Sequence, residues 1–293
     1  DIRTPMNGVL GMTELLLGTP LSPKQRDYAQ TIRSAGNELL SLLSQILDVS
    51  RLESGLIELD NDQLDYPALL DDCLDIFRGK AEQQGIELIN LIRPDVPRLI
   101  RSDPARLRQI VLSLLENAFR QVAQGEILLT SEMINSVSGP SLRLTIRDSG
   151  TPLTAAERDQ LLNSELHNQD LAQSSQPGGR LALIIARQLV RLMGGAFGAE
   201  SDQRGGNDIW LSLPLDLTNT EEPLAEHTEN DLRDVRILVV DDNDTCRKVL
   251  VEQCQSWGMR VSSVASGNEA LALLRTKTNL GEDFDVVLLD QRM

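Results

Sequence analysis

The chain has 293 residues with 28 Lys+Arg against 44 Asp+Glu, a formal net charge of −16, and 41% hydrophobic residues. That apolar share excludes wholesale disorder and suits about two domains. The negative balance and 3% aromatics exclude nucleic acid as the main partner, since that needs a basic footprint and stacking platforms. Cys73, Cys246 and Cys254 form no CxxC and lie far from His167 and His227, so buried thiols in a reducing compartment are expected rather than disulfides or zinc. No stretch of about 18 apolar residues would span a membrane. Asp1 falls inside a helical pattern, so the chain is expected to be a fragment.

Over residues 1–55 the apolar positions follow a 4-3 spacing: Ile2, Met6, Val9, Thr13 and Leu16, a break at Gly18, Thr19 and Pro20, then Tyr28, Ile32, Ala35, Leu39, Leu42, Ile46 and Val49. Ser22, Pro23 and Gln25 supply an N-cap, a first-turn proline and a capping-box partner, and Gly55 can end the second helix. A two-helix hairpin cannot cover so narrow a seam alone, so pairing into a four-helix bundle is expected. An intramolecular three- or four-helix core is the alternative.

From 56 to 215 strands are predicted near 56–62, 86–92, 125–134, 142–148, 196–202 and 207–215, and helices near 66–84, 104–123, 154–166 and 180–193. This is an α+β sandwich with an antiparallel or mixed sheet. Residues 216–234 hold seven acids against one arginine and no apolar periodicity, which marks a linker. From 235 to 293 the order is β-α-β-α-β: RILVV, a helix over 244–257, RVSSV, a helix over 267–277, and DVVLLD. Continuous apolar strands alternating with helices predict a parallel sheet, here about half of a doubly wound domain, with the DVVLLD edge unpaired.

In such a sheet ligands bind beyond the carboxyl ends of the strands. Strand one ends at Asp241-Asp242 and strand three at Asp290, so three carboxylates should converge. Such a cluster repels itself unless a hard cation such as Mg²⁺ neutralises it, and one of them could accept a phosphoryl group. The plainer reading of Asp241 and Asp242 is capping of the next helix. In the preceding unit, DPARLRQIVLSLLENAFRQ over 103–121 sets Asn117 and Arg120 one turn apart, Asp148-Ser149-Gly150 ends a strand, and GGRLALIIARQLVRLMGG begins at 178 with glycines at a helix N-terminus suited to anions. A solvated helix face and an ordinary Asp/Gly turn are the plainer readings of the first two.

In order and spacing these three stretches resemble the N box, DxGxG box and GxGxG lid box of the GHKL ATPases, the nucleotide-binding domain of histidine kinases. VVDDND and VVLLDQRM resemble a receiver domain, and the opening DIRTPMNG resembles a phosphoacceptor box lacking its histidine. The whole chain is thus similar to a hybrid sensor histidine kinase: a dimerisation and phosphotransfer hairpin at 1–55, a catalytic domain at 56–215, a linker at 216–234, and the N-terminal half of a flavodoxin-like receiver at 235–293. The resemblance implies a phosphorylated His just before Asp1, Asp1 polarising that imidazole, Thr4 orienting water in a phosphatase reaction, and Pro5 kinking the first helix. It implies ATP held by Asn117, Arg120, Asp148, Gly150, Gly178 and Arg180, with Mg²⁺ on Asn117. In the receiver it implies Asp290 as phosphoacceptor, and Mg²⁺ on Asp241, Asp242, Asp290 and the backbone carbonyl of Arg292. The whole protein would be a bacterial inner-membrane sensor with this region in the cytoplasm, pairing with itself or with a GacS-like sensor kinase through 1–55.

The boxes also depart from the family pattern. Ser113 replaces the first Asn of the N box, Pro152 the last glycine of DxGxG, and Arg180 and Ala182 two glycines of the lid. Proline lacks an N–H and fixes φ, and glycine permits close backbone approach to phosphates. At roughly 1–3 kcal/mol each, the changes together would weaken nucleotide binding by about three orders of magnitude. Arg180 could offset part of this by meeting a phosphate itself. Two functions are therefore expected from the sequence: a kinase-like regulator that antagonises a partner kinase by pairing, or an active histidine kinase that passes phosphate to its own receiver.

Overall fold

The computed structural model describes residues 2–53, 58–136, 139–163, 179–201, 205–215, 232–291 and 293. Contacts divide the chain into two compact units, one of 1–62, 102–123 and 148–213, the other of 63–101, 124–147 and 214–293.

The first unit opens with α1 (Arg3–Leu17) and α2 (Pro23–Glu53), which pack as a hairpin. The capping box forms as expected: Gln25 N–H donates to Ser22 Oγ at 3.4 Å, and Gln25 Oε1 accepts from Ser22 N–H at 3.0 Å. Pro5 lies in the first turn of α1. The expected seam also divides. Thr13 turns into the hairpin, as do Ala29 and Gly36, and a Cβ on Gly36 would sit 2.7 Å from Leu10 Cδ2. Small residues thus let the two helices approach. Val9, Leu16, Tyr28, Ile32 and Leu39 are left 46–55% exposed, and Leu42, Ile46, Val49 and Gly55 lie outside the residues whose side chains are described.

The same unit contains α4 (Pro104–Gln121), α5 (Ala155–Asn163), α6 (Gly179–Leu192), β6 (Ala196–Ser201) and β7 (Asn207–Pro214). Asp103 caps α4, its Oδ1 accepting from Arg106 N–H at 2.9 Å, with Pro104 in the first turn. One stripe of α4 buries Leu107, Ile110, Val111, Leu114, Leu115 and Ala118, and the helix packs against α6.

The second unit holds β1 (Asp62–Asp65), α3 (Tyr66–Gln84), β2 (Ile86–Ile92), β3 (Leu99–Ser102), β4 (Gly125–Ser136) and β5 (Gly139–Asp148). Asp65 caps α3 through Ala68 N–H at 3.1 Å, and Gly85, at φ +66°, ends it in the left-handed conformation. Burial pushes the Asp65 carboxyl up, but the Ala68 N–H and Arg98 more than offset this and hold it below its ordinary value. Tyr66 Oη and Ser131 Oγ lie 2.8 Å apart, both buried, tying α3 to β4.

The strand pairing is mixed: β2 pairs parallel with β4 in this unit, and β6 antiparallel with β7 in the first. Period-2 burial along β4 (Ile127, Leu129) and β7 (Ile209, Leu211, Leu213) puts one face of each strand in the core. Two local corrections arise. Of the strand expected at 56–62, residues 56 and 57 lie outside the described residues and the rest gives way to a four-residue strand at 62–65, whose partner β3 was not anticipated. Both are too short and too charged for alternation to register.

Also in this unit are β8 (Arg236–Val240), α7 (Asp244–Ser256), β9 (Arg260–Val264), α8 (Gly267–Asn279) and β10 (Val286–Leu289), forming an all-parallel sheet of order β10-β8-β9. β8 lies in the middle with Ile237 to Val240 buried, as a continuous apolar run requires. Val249 of α7 packs against Ile89 and Leu91 of β2, and Thr245 Oγ1 donates to Glu126 Oε1 of β4 at 2.7 Å.

Candidate functional site

Two groups of candidate residues are assembled. The first is at the carboxyl ends of β8 and β10. Asp241 and Asp242 follow β8 directly, Asp290 follows β10, and one carboxylate oxygen from each lies within 4.8 Å of the others. The parallel register, Leu289 opposite Val240, brings them level, and Asp290 N–H donates to Val240 O at 2.9 Å. The capping role falls to Asn243 instead, whose Oδ1 accepts from Thr245 and Cys246 N–H at 2.7 and 3.1 Å. Asp241 and Asp242 are thereby left to converge with Asp290. Asp241 is buried, accepts from Asn243 N–H at 2.8 Å, and its carbonyl takes Arg247 Nη1 at 2.7 Å. Burial first, and then the bond to Asp241, pushes the Cys246 thiol up to about 12, so it stays a neutral lining group.

Three converging carboxylates fit a hard oxygen-seeking cation such as Mg²⁺. Arg292, the remaining expected ligand, lies outside the described residues. Asp241→Asn is expected to weaken Mg²⁺ binding at least tenfold in titration calorimetry, and unchanged affinity would remove the cluster as the metal site.

The second group lies in the first unit. Asn117 is buried on α4, Arg120 is exposed a turn later, and Ser113 donates its hydroxyl to Gln109 O at 2.8 Å within the helix, so it does not replace an asparagine's reach. Asp148, at the end of β5, is 2% exposed. Its Oδ1 accepts from Gly150 N–H at 2.8 Å, closing the Asp/Gly turn read from sequence. Burial pushes the Asp148 carboxyl up, partly offset by the Gly150 and Asn207 donors. A Cβ on Gly150 would lie 2.6 Å from Gln121 O, so glycine there lets the turn meet the end of α4 and brings the two boxes together. Ala182, at a lost lid glycine, is buried inside α6. Gly178 and the Arg180 side chain lie outside the described residues, as does Asp1, and Thr4 is exposed on α1.

Sequence reasoning missed Gly206 and Asn207. Gly206, at φ +95°, donates its N–H to Gly150 O at 3.0 Å, and a Cβ there would sit 2.3 Å from Asp148 O. Asn207 is 2% exposed and its Nδ2 donates to Asp148 Oδ1 at 3.1 Å. A GG pair opening a strand was the only available signal.

Comparison with known proteins matches residues 1–55 to the His kinase A (phospho-acceptor) domain, 102–217 to the histidine kinase-, DNA gyrase B- and HSP90-like ATPase, and 237–293 to the response regulator receiver domain. The sensor protein GacS of Pseudomonas syringae is 34% identical over 89% of this chain, and the signal transduction histidine-protein kinase BarA of Escherichia coli 33% over 74%. The chain spans only 29% and 24% of their lengths. The crystal structure of full-length ShkA in complex with AMPPNP superposes with a TM-score of 0.75 at 25% identity, covering 99% of this chain and 67% of that one. No described helix is long and apolar enough to cross a membrane. With a phosphoacceptor-type dimerisation hairpin, a GHKL ATPase domain and receiver sequence in that order, the chain belongs to the hybrid histidine kinases.

Proposed function

We propose that this chain is the cytoplasmic signalling region of a bacterial inner-membrane hybrid sensor, and that it works chiefly by pairing with a second sensor kinase and suppressing it. The observation that carries this is the open seam: Val9, Leu16, Tyr28, Ile32 and Leu39 stand exposed because α1 and α2 meet through other, smaller residues. A partner hairpin with a similar stripe covers it. GacS, 34% identical over most of the chain, is the candidate partner, and LIIARQLVRLMGG and VVDDNDTCRKVLV resemble RetS, an unorthodox hybrid sensor of pseudomonads that antagonises GacS. Replacing one hairpin of a GacS homodimer separates its two kinase subunits. Thr4 would add a second route, orienting water to dephosphorylate the partner, while Asp1 would polarise the imidazole of the phosphoacceptor His.

The second reading, an active ATP-dependent histidine kinase, rests on Asn117, Asp148 and Gly150 sharing one unit and on the cluster around Asp290. There Mg²⁺ would neutralise the phosphates and the receiver carboxylates, with Asp290 accepting the phosphoryl group. Mixing this chain with a GacS kinase region and recording native mass spectra separates the two: a heterodimer supports the first, homodimers alone the second.

A further inference from the structure

Asn207 forms hydrogen bonds through both ends of its carboxamide at the nucleotide-type site. Its Oδ1 accepts from Leu153 N–H at 2.7 Å and from Ser201 Oγ at 2.8 Å, while Nδ2 donates to Asp148 Oδ1 at 3.1 Å and to Thr151 O at 3.0 Å. A second, longer contact of 3.4 Å reaches Asp148 Oδ2. Both side chains are only 2% exposed. An Asp buried this deeply without a cation needs N–H donors, and here the protein supplies them: the Gly150 amide and the Asn207 carboxamide.

The exocyclic amine of adenine is an NH₂ donor of the same type as a carboxamide nitrogen. We propose that Asn207 is a built-in occupant of the base-recognition point, its amide donating to Asp148 where the amine of an adenine nucleotide would, so that binding such a nucleotide requires displacing it. This rests on the reading of Asp148 as the base-recognition carboxylate. Displacement is costly because Asn207 also fastens the 151–153 loop and Ser201. Asn207 therefore sets both the affinity and the base preference of the site, and does so independently of the altered lid.

The test measures Mg-ATP and Mg-GTP binding by calorimetry on the full chain and on Asn207→Ser, whose hydroxyl is too short to keep the bond to Asp148. Asn207→Thr is measured alongside, so that a folded variant is in hand. The expected result is at least tenfold tighter Mg-ATP binding, about 1.4 kcal/mol. Mg-GTP binding stays unchanged, because guanine presents a carbonyl where adenine carries its amine, and Asp148→Asn in the same background cancels the gain. Equal or weaker Mg-ATP binding by the folded variants would overturn the inference, leaving Asn207 a loop clamp. If the wild type binds Mg-ATP in that case, the nucleotide reading stands. If neither wild type nor folded variants bind at millimolar concentration, that reading falls as well.

Discussion

Ile32→Glu combined with Leu39→Glu is expected to turn a dimer into a monomer at micromolar concentration in sedimentation velocity. Both side chains are about half exposed on α2, at 49% and 47%. A two-fold interface is self-complementary, so each residue is lost twice. Burying the remaining half of four such side chains contributes about 1 kcal/mol each, or about 4 kcal/mol together, which is close to three orders of magnitude in the dissociation constant. Glutamate adds the cost of bringing like charges into a dry seam. Because the buried contact of the hairpin runs through Thr13, Ala29 and Gly36, the thermal transition of the remaining chain should change little. A variant that stays dimeric would move the interface off this stripe.

The second large effect is on the nucleotide-type site. Gly206→Ala forces a side chain into φ +95° and sets its Cβ 2.3 Å from the Asp148 carbonyl oxygen. Backbone strain of roughly 1–3 kcal/mol and a similar overpacking cost sum to about 4 kcal/mol, or a melting-temperature loss of about 10 °C at this size. Gly205→Ala is the control. Its φ is +105°, but among the described residues no atom lies near the added Cβ, so only the strain applies and the loss should be about half as large. Equal losses in the two variants would show that close approach to Asp148 is not what requires Gly206.

The order of the domains was legible because hydrophobic periodicity changes along the chain: 4-3 in the hairpin, alternation in the mixed sheet, and unbroken apolar runs in the parallel one. The receiver cluster was legible for a related reason. Parallel strands in register must end level, so acids closing RILVV and VVLL had to meet. The inner face of the hairpin was not. Ala29 and Gly36 carry no apolar signal, yet their small size decides which stripe is buried and which is left open. Asn207 was hidden for another reason, since its partner Asp148 is 59 residues away and the two meet only where β5 ends and β7 begins. Motif reading stopped at the glycine boxes, and a residue that satisfies a box carboxylate from outside them has no spacing to betray it.

On the proposed reading, eroded glycines, a hydroxyl at Ser113 turned back into its own helix, and an Asp148 carboxylate already engaged by Asn207 all lower the site's claim on ATP. All of these residues lie outside the two hairpin helices, although α6 packs against α2. The proposed function therefore lies in the pairing. Native mass spectrometry of this chain mixed with a GacS kinase region tests that most directly. The expected result is a one-to-one heterodimer that displaces the GacS homodimer and is lost in the Ile32→Glu, Leu39→Glu variant. Persistence of the two homodimers with no mixed species at micromolar concentration would contradict it.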